Sequence, residues 1–177
     1  MSASAGNRPG THPEEKAEKR MIYNNVLEAV GQTPMIRLNR LTGPQDAEVL
    51  VKYEGMNIGG SIKTRTALQM IEEAEARGDL SPDSIIVEPT SGNQGIGLAL
   101  VGAVKGYKVV IIMPDSVSIE RRYLVSQYGA EVKLIHDAGN IGKCIEDCIA
   151  LAEKMARIQS EMEFLSLDDI IRTRILF

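Results

Sequence analysis

Two short segments of this 177-residue chain carry side chains and spacings suited to chemistry. The first is Gly59-Gly60-Ser61-Ile62-Lys63-Thr64-Arg65. It leads into ALQMIEEAEARG, whose Ala, Leu, Met, Gln and Glu content predicts a helix over Thr66 to Gly78, with Lys63 in the first turn. At roughly 100° per residue, Ala67, Met70 and Ala74 fall within about 40° of Lys63, so the lysine is expected on the face the helix buries. Burial and the helix macrodipole both penalise an ammonium there, which favours a usable amine nucleophile or base. The alternative is a first-turn lysine that carries its charge to water along its stem.

The second segment is Glu88-Pro89-Thr90-Ser91-Gly92-Asn93-Gln94-Gly95, between an apolar strand and an apolar helix. Backbone N–H groups at a helix N-terminus bind anions, and the hydroxyls of Thr90 and Ser91 add donors. Gly92 allows a ligand to approach the backbone closely. The spacing is neither GxGxxG nor a Walker motif, so a carboxylate suits the loop as well as a phosphate does. An ordinary strand-to-helix turn with a Thr or Ser cap is the alternative.

Alternating strands and helices would have to position these segments. A short helix over Asn25 to Val30 precedes strands at Met35 to Leu38 and Glu48 to Tyr53. Beyond the first long helix come a strand at Ser84 to Val87, a helix at Asn93 to Lys105 and a strand at Tyr107 to Met113. A helix at Ser118 to Tyr128, a strand at Glu131 to Ile135 and a helix from Asn140 to about Met162 follow. The near-continuous apolar run YKVVIIM is the pattern of a parallel strand covered on both faces. The expectation is therefore α/β: three layers, with a mostly parallel sheet flanked by helices. The helix from Asn93 is apolar nearly all round, which predicts that it is sandwiched between the sheet and other structure.

Composition narrows the function classes. The chain is 44% hydrophobic but only 4% aromatic, so Val, Ile, Leu, Ala and Met must build its core. A net charge of -4, with no basic cluster among aromatics, argues against nucleic acid as a partner. Apolar runs are too short to cross a bilayer, so no membrane partner is expected. Residues 1–20 have no apolar signal-peptide core and read as a polar arm. Cys144 and Cys148 match neither a CxxC redox motif nor a zinc pattern and are expected as buried packing residues. No metal site is expected, and a reducing, cytoplasmic setting fits.

Taken together, the two segments resemble the fold type II pyridoxal-phosphate (PLP) enzymes, in the branch of cysteine synthase (O-acetylserine sulfhydrylase) and cystathionine β-synthase. The likeness continues in register through Gly31-Gln32-Thr33-Pro34-Met35-Ile36-Arg37-Leu38, Met70-Ile71-Glu72-Glu73-Ala74-Glu75 and Ile96-Gly97-Leu98-Ala99. It extends through Lys105-Gly106-Tyr107-Lys108, Met113-Pro114, Glu120-Arg121-Arg122 and Tyr128-Gly129-Ala130-Glu131, covering about Asn25 to Met155.

The resemblance implies the N-terminal, substrate-side part of the tryptophan synthase β-like fold. It also implies that Lys63 binds PLP covalently and later moves the substrate α-proton. Asn93 would meet the 3′ oxygen of the cofactor, and Thr90, Ser91, Gly92, Asn93 and Gln94 would bind the substrate. The implied activity is β-replacement on a small amino acid, converting O-acetyl-L-serine and sulfide to L-cysteine and acetate. A related PLP lyase or thiolase, such as the large subunit of 2-amino-4-oxopentanoate thiolase, is an alternative.

Three positions depart from the usual residues of the family: Thr64 for Asp, Ile58 for Pro and Gln94 for Thr. Family members run to about twice this length, with two domains clamping the cofactor. The expected division is an arm at 1–20, an α/β domain at 21–157 and a divergent tail at 158–177. The second, phosphate-cradling domain is expected to be absent, which predicts a truncated chain with weak PLP binding and weak or no activity alone. Full-length family members are expected as homodimers. A non-catalytic short form that associates with a full-length homologue is a further reading.

Overall fold

In the computed structural model, residues 22–165 are described, with side chains through Arg157. The arm expected over 1–20 and the end of the tail, 166–177, lie outside the described residues.

Strand β4 (Lys108–Pro114) is buried at every position after its first, because it is the middle strand of a parallel sheet covered on both faces. Its neighbours are β3 (Ile85–Pro89) and β5 (Glu131–Ile135). The register sets Ile86 opposite Val109 and Glu88 opposite Ile111 on one side, and Ile112 opposite Lys133 on the other.

Strand alternation sends these side chains into two separate cores. Ile86, Val109, Ile111 and Met113 pack with Ala67, Ile71, Leu98, Val101 and Val125 from α1 (Lys63–Ala76), α2 (Asn93–Lys105) and α3 (Ile119–Gln127). Val87, Val110 and Ile112 face Cys144, Cys148 and Ala152 of α4 (Ile141–Leu165). The three layers expected from the sequence are present, and α2 is buried from Gly95 through Gly102 between the sheet and α1.

Both cysteines are 3% exposed in the smaller core, as expected of packing residues. Burial pushes both thiols up, Cys148 to about 11, which leaves little thiolate at neutral pH.

Two features differ from the sequence reading. Strands β1 (Met35–Arg37) and β2 (Leu50–Lys52) pair antiparallel with each other, apart from the parallel sheet, and all six residues are exposed. Lys63 is the first residue of α1 and is exposed, not buried with Ala67 and Ala74. The buried stripe of α1 is Thr64, Ala67, Ile71 and Ala74, rotated by about half a residue from the expected one. Side chains on a helix lean toward its N-terminus, so the stem of Lys63 leaves over the open end of α1, where no neighbouring turn covers it.

Helix α1 reaches α2 through Gly97. A Cβ there would stand 2.9 Å from the Lys63 carbonyl oxygen and 3.0 Å from the Ala67 Cβ. Only a residue without a side chain lets the two backbones approach so closely. Gly97→Ala adds helix propensity in α2 but overpacks this contact against backbone, and overpacking dominates. Urea unfolding is expected to show a net loss of about 1–3 kcal/mol.

Candidate functional site

Strand β3 delivers the second segment directly to its position. The ladder continues one residue beyond the strand, with Thr90 N donating to Ile112 O at 2.9 Å, so the start of the loop is fixed by the sheet. The chain then turns into α2 at Gly92, which occupies the cap position in extended backbone. No side chain caps α2, and the space around Gly92 is open to at least 4 Å. The first N–H groups of α2 therefore point toward solvent with the positive end of the helix dipole behind them.

Each residue singled out from the sequence has a definite place. Thr90 Oγ1 accepts a hydrogen bond from Gly92 N at 3.3 Å, and the Thr90 methyl packs into the space left by Gly95. Ser91 is exposed, and its carbonyl accepts from Arg121 Nη1 of α3 at 3.4 Å. Asn93 is exposed at the first position of α2. The Gln94 side chain turns away from the loop: its Nε2 lies 3.4 Å from Met70 Sδ on α1. Gln94 thus offers the loop its backbone N–H, while its amide packs between the helices.

Lys63 approaches the same loop from α1. Its carbonyl lies against Gly97, one helical turn beyond Asn93, which puts the start of α1 roughly 6 Å along the α2 axis from the loop. Among the described residues, Lys63 Nζ has no hydrogen-bond or ion-pair partner. The flanking side chains are held. Thr64 is 1% exposed and its hydroxyl donates to the Ile58 carbonyl. Arg65 makes a two-pronged contact with Glu54, Nε to Oε2 at 2.9 Å and Nη2 to Oε1 at 2.8 Å, and also donates to Gly31 O. These hydrogen bonds from Arg65 hold the Glu54 carboxyl down at about 2, so it is ionised throughout the physiological range.

The loop before α1 is tied to the same network. Asn57 accepts from Gly31 N at 3.0 Å and donates to Glu54 Oε2 at 3.2 Å and Ser61 O at 3.3 Å. Thr33 Oγ1 donates to Glu54 Oε1 at 2.8 Å. Two of the three departures from the family pattern, Ile58 and Thr64, are therefore direct hydrogen-bond partners.

Sequence reasoning assigned no role to Glu88, Glu54, Asn57 or Arg65. The sequence reading ended the strand at Val87 and placed Glu88 in the loop, whereas β3 runs through Pro89, so Glu88 lies inside the covered strand. It is 9% exposed on the sheet face shared with Ile86 and Ile111, and no hydrogen bond or ion pair reaches its carboxyl from the described residues. Burial raises it to about 7. The Glu54–Arg65 contact bridges the glycine loop between a 3-10 turn and helix α1 and leaves no periodic trace in the sequence.

The family described as pyridoxal-phosphate dependent enzyme matches residues 26–167. A cysteine synthase from Flavobacterium sp. is 52% identical over 134 residues, which cover 76% of this chain and 43% of the relative. A probable cysteine synthase from Bacillus subtilis is 45% identical over 143 residues, covering 81% of this chain and 46% of the relative. Among solved structures, that of O-ureido-L-serine synthase superposes with a TM-score of 0.70 at 40% identity, covering 79% of this chain and 43% of the other. The chain spans less than half the length of the curated relatives it matches.

Glu88 generates a pH prediction. Between its unfolded value near ~4.3 and about 7 when folded, the folded chain holds a proton that the unfolded chain releases, so stability falls as pH rises through this window. Glu88→Gln does not titrate. Its melting temperature is expected to gain on the wild type between pH 5 and pH 8, by the equivalent of about 1–2 kcal/mol after allowing for solvent screening near the sheet end. Parallel melts across that range check it.

Proposed function

The chain belongs to the pyridoxal-phosphate dependent enzyme family, and from that premise we propose that it carries the lysine-bearing half of a cysteine synthase-like active site. The observation that carries this reading is the meeting of two elements through Gly97. The backbone of Lys63, whose exposed amine has no partner among the described residues, lies against α2 one turn beyond its uncapped N-terminus, which Thr90, Ser91 and Asn93 flank.

The donor set fits PLP at its aldehyde end. Lys63 Nζ is accessible for covalent attachment, and Asn93, exposed at the first position of α2, carries an amide suited to the 3′ oxygen. When bound, PLP supplies an electron sink for α-proton loss and elimination of a β-substituent, after which a nucleophile such as sulfide adds.

The residues of the chain do the rest. The substrate α-carboxylate is held by the backbone N–H groups that open α2 and by the Ser91 and Thr90 hydroxyls, where the helix dipole favours an anion. Gly92 leaves room for that carboxylate to reach the backbone. Lys63 Nζ, carried on a helix start that meets α2 one turn from the loop, takes the α-proton and later returns one. Glu54 and Arg65 keep the base of the lysine stem in place. The substrate class is a small amino acid bearing a leaving group on its β-carbon, with O-acetyl-L-serine as the reference substrate.

The first test is binding by the chain itself. Adding PLP is expected to give an absorption band near ~410 nm, and borohydride should fix the cofactor to the peptide containing Lys63. Lys63→Ala should abolish both signals. Uniform low labelling of surface lysines at saturating PLP, with no preference for Lys63, would overturn the assignment.

A further inference from the structure

We propose that Thr64 is a positioning residue for Lys63: its buried hydroxyl, by holding the Ile58 carbonyl, sets the shape of the glycine loop from which the lysine springs. The inference deepens the function proposed above and rests on it for what Lys63 does.

Gly59 and Gly60 follow one another at φ 84° and 76°, in the left-handed region. Two consecutive residues without side chains give this turn wide conformational freedom and no contacts of its own to restrict it. Its shape must be imposed from outside. Asn57 supplies one clamp, through Gly60 N to Asn57 O at 2.8 Å and Asn57 Nδ2 to Ser61 O at 3.3 Å.

Thr64 supplies the other clamp, from within α1. It is the polar member of a buried stripe otherwise made of Ala67, Ile71 and Ala74. Its hydroxyl reaches back six residues to Ile58 O, across both glycines. A Cβ on Gly59 would stand 2.5 Å from Thr64 Oγ1, so the hydroxyl occupies space that the glycine leaves vacant.

The Gly97 contact and the Arg65–Glu54 pair hold the start of α1 on two sides, and the glycine loop enters it on a third. Ile62, at the cap position, makes no side-chain cap, and only Ser61 Oγ reaches the Lys63 N–H, at 3.2 Å. The shape of the loop therefore bears directly on the backbone angle at which Lys63 enters α1. With Thr64 turned inward and Arg65 committed to Glu54, Lys63 is the one side chain of the three left exposed and unengaged.

A purely structural hydroxyl would make a different prediction, because its loss would lower stability without changing the relative reactivity of one lysine. Thr64→Val keeps the side-chain shape and removes the donor, while Thr64→Ser keeps the donor and removes the methyl. Three measurements on the full chain separate the roles: thermal melting, amide hydrogen exchange of residues 58–62, and labelling of Lys63 relative to exposed Lys154. Labelling uses PLP with borohydride in one arm and trinitrobenzenesulfonate in the other, read by peptide mass spectrometry.

The expected result for Thr64→Val is exchange of residues 58–62 faster by about tenfold, with the Lys63-to-Lys154 ratio altered by about fivefold or more in both reagents. Thr64→Ser should keep both readouts within about twofold of the wild type. An unchanged labelling ratio in Thr64→Val, whatever its melting temperature, overturns the proposal. If Thr64→Val fails to fold, Thr64→Ser decides: wild-type labelling and exchange support the proposal, and loss of either overturns it. A wild-type chain that reacts with trinitrobenzenesulfonate but shows no PLP preference for Lys63 would sink the functional reading alone. The exchange and trinitrobenzenesulfonate arms would still decide the role of Thr64.

Discussion

The contact between the Lys63 carbonyl and Gly97 is the constraint on which the candidate site depends. Two helices that carry ordinary side chains pack with axes 8–10 Å apart. Here the backbones of α1 and α2 leave no room for a Cβ at one point, where Gly97 meets the Lys63 carbonyl and Ala67 contributes only a methyl. The approach is made at the first turn of α1, so it fixes the place where Lys63 leaves the helix. It also falls one turn into α2, so the same point is referenced to Asn93 and the loop before it. Any change in this spacing moves the lysine relative to the N-terminal end of α2.

A second set of interactions holds the lysine from behind. Arg65, Glu54, Asn57 and Thr33 join the 3-10 turn at Glu54–Met56, the segment at Gly31–Thr33 and the first turn of α1 into one charged, hydrogen-bonded unit. Charge-assisted bonds of this kind hold geometry better than neutral ones, and the two-pronged guanidinium contact restricts rotation as well as distance. The packed side, at Gly97, and the polar side, at Glu54, thus grip the helix start from opposite directions. Lys63 stays accessible because both grips act on its backbone and its neighbours, leaving its amine unengaged. Accessibility suits the proposed role, since a lysine that must attach a cofactor and later handle a proton cannot be committed to an ion pair.

The sequence was most informative where burial is strongest. The bounds of α2 and β5 agree with the residue pattern, and β4 departs by one position at each end, because periodic burial dominates these elements. It was least informative at the surface. Leu50–Lys52 carries strand-forming residues, but nothing in their pattern says that they pair only with Met35–Arg37. The burial of Lys63 was misjudged for a related reason. Periodicity gives the angle of a residue about the helix axis, yet at a helix end coverage depends on whether another element extends over that turn. The hydrogen bonds of Arg65 to Glu54 and Gly31, and that of Thr64 to Ile58, join residues whose types are common and whose separations repeat nowhere.

What the sequence determined by itself was the chemistry available: a lysine at a helix start, a Thr-Ser-Gly-Asn loop opening a second helix, and a parallel sheet able to carry both. These follow from residue type and local spacing, which act over a few residues. The tertiary structure decided which groups are presented and which are withdrawn. It turned Gln94 toward Met70, drew Thr64 inward, buried Glu88 within β3 and left Lys63 open. Those outcomes depend on how closely two helices approach and on which segment closes over which, and such distances are set only when residues far apart in the chain compete for the same space.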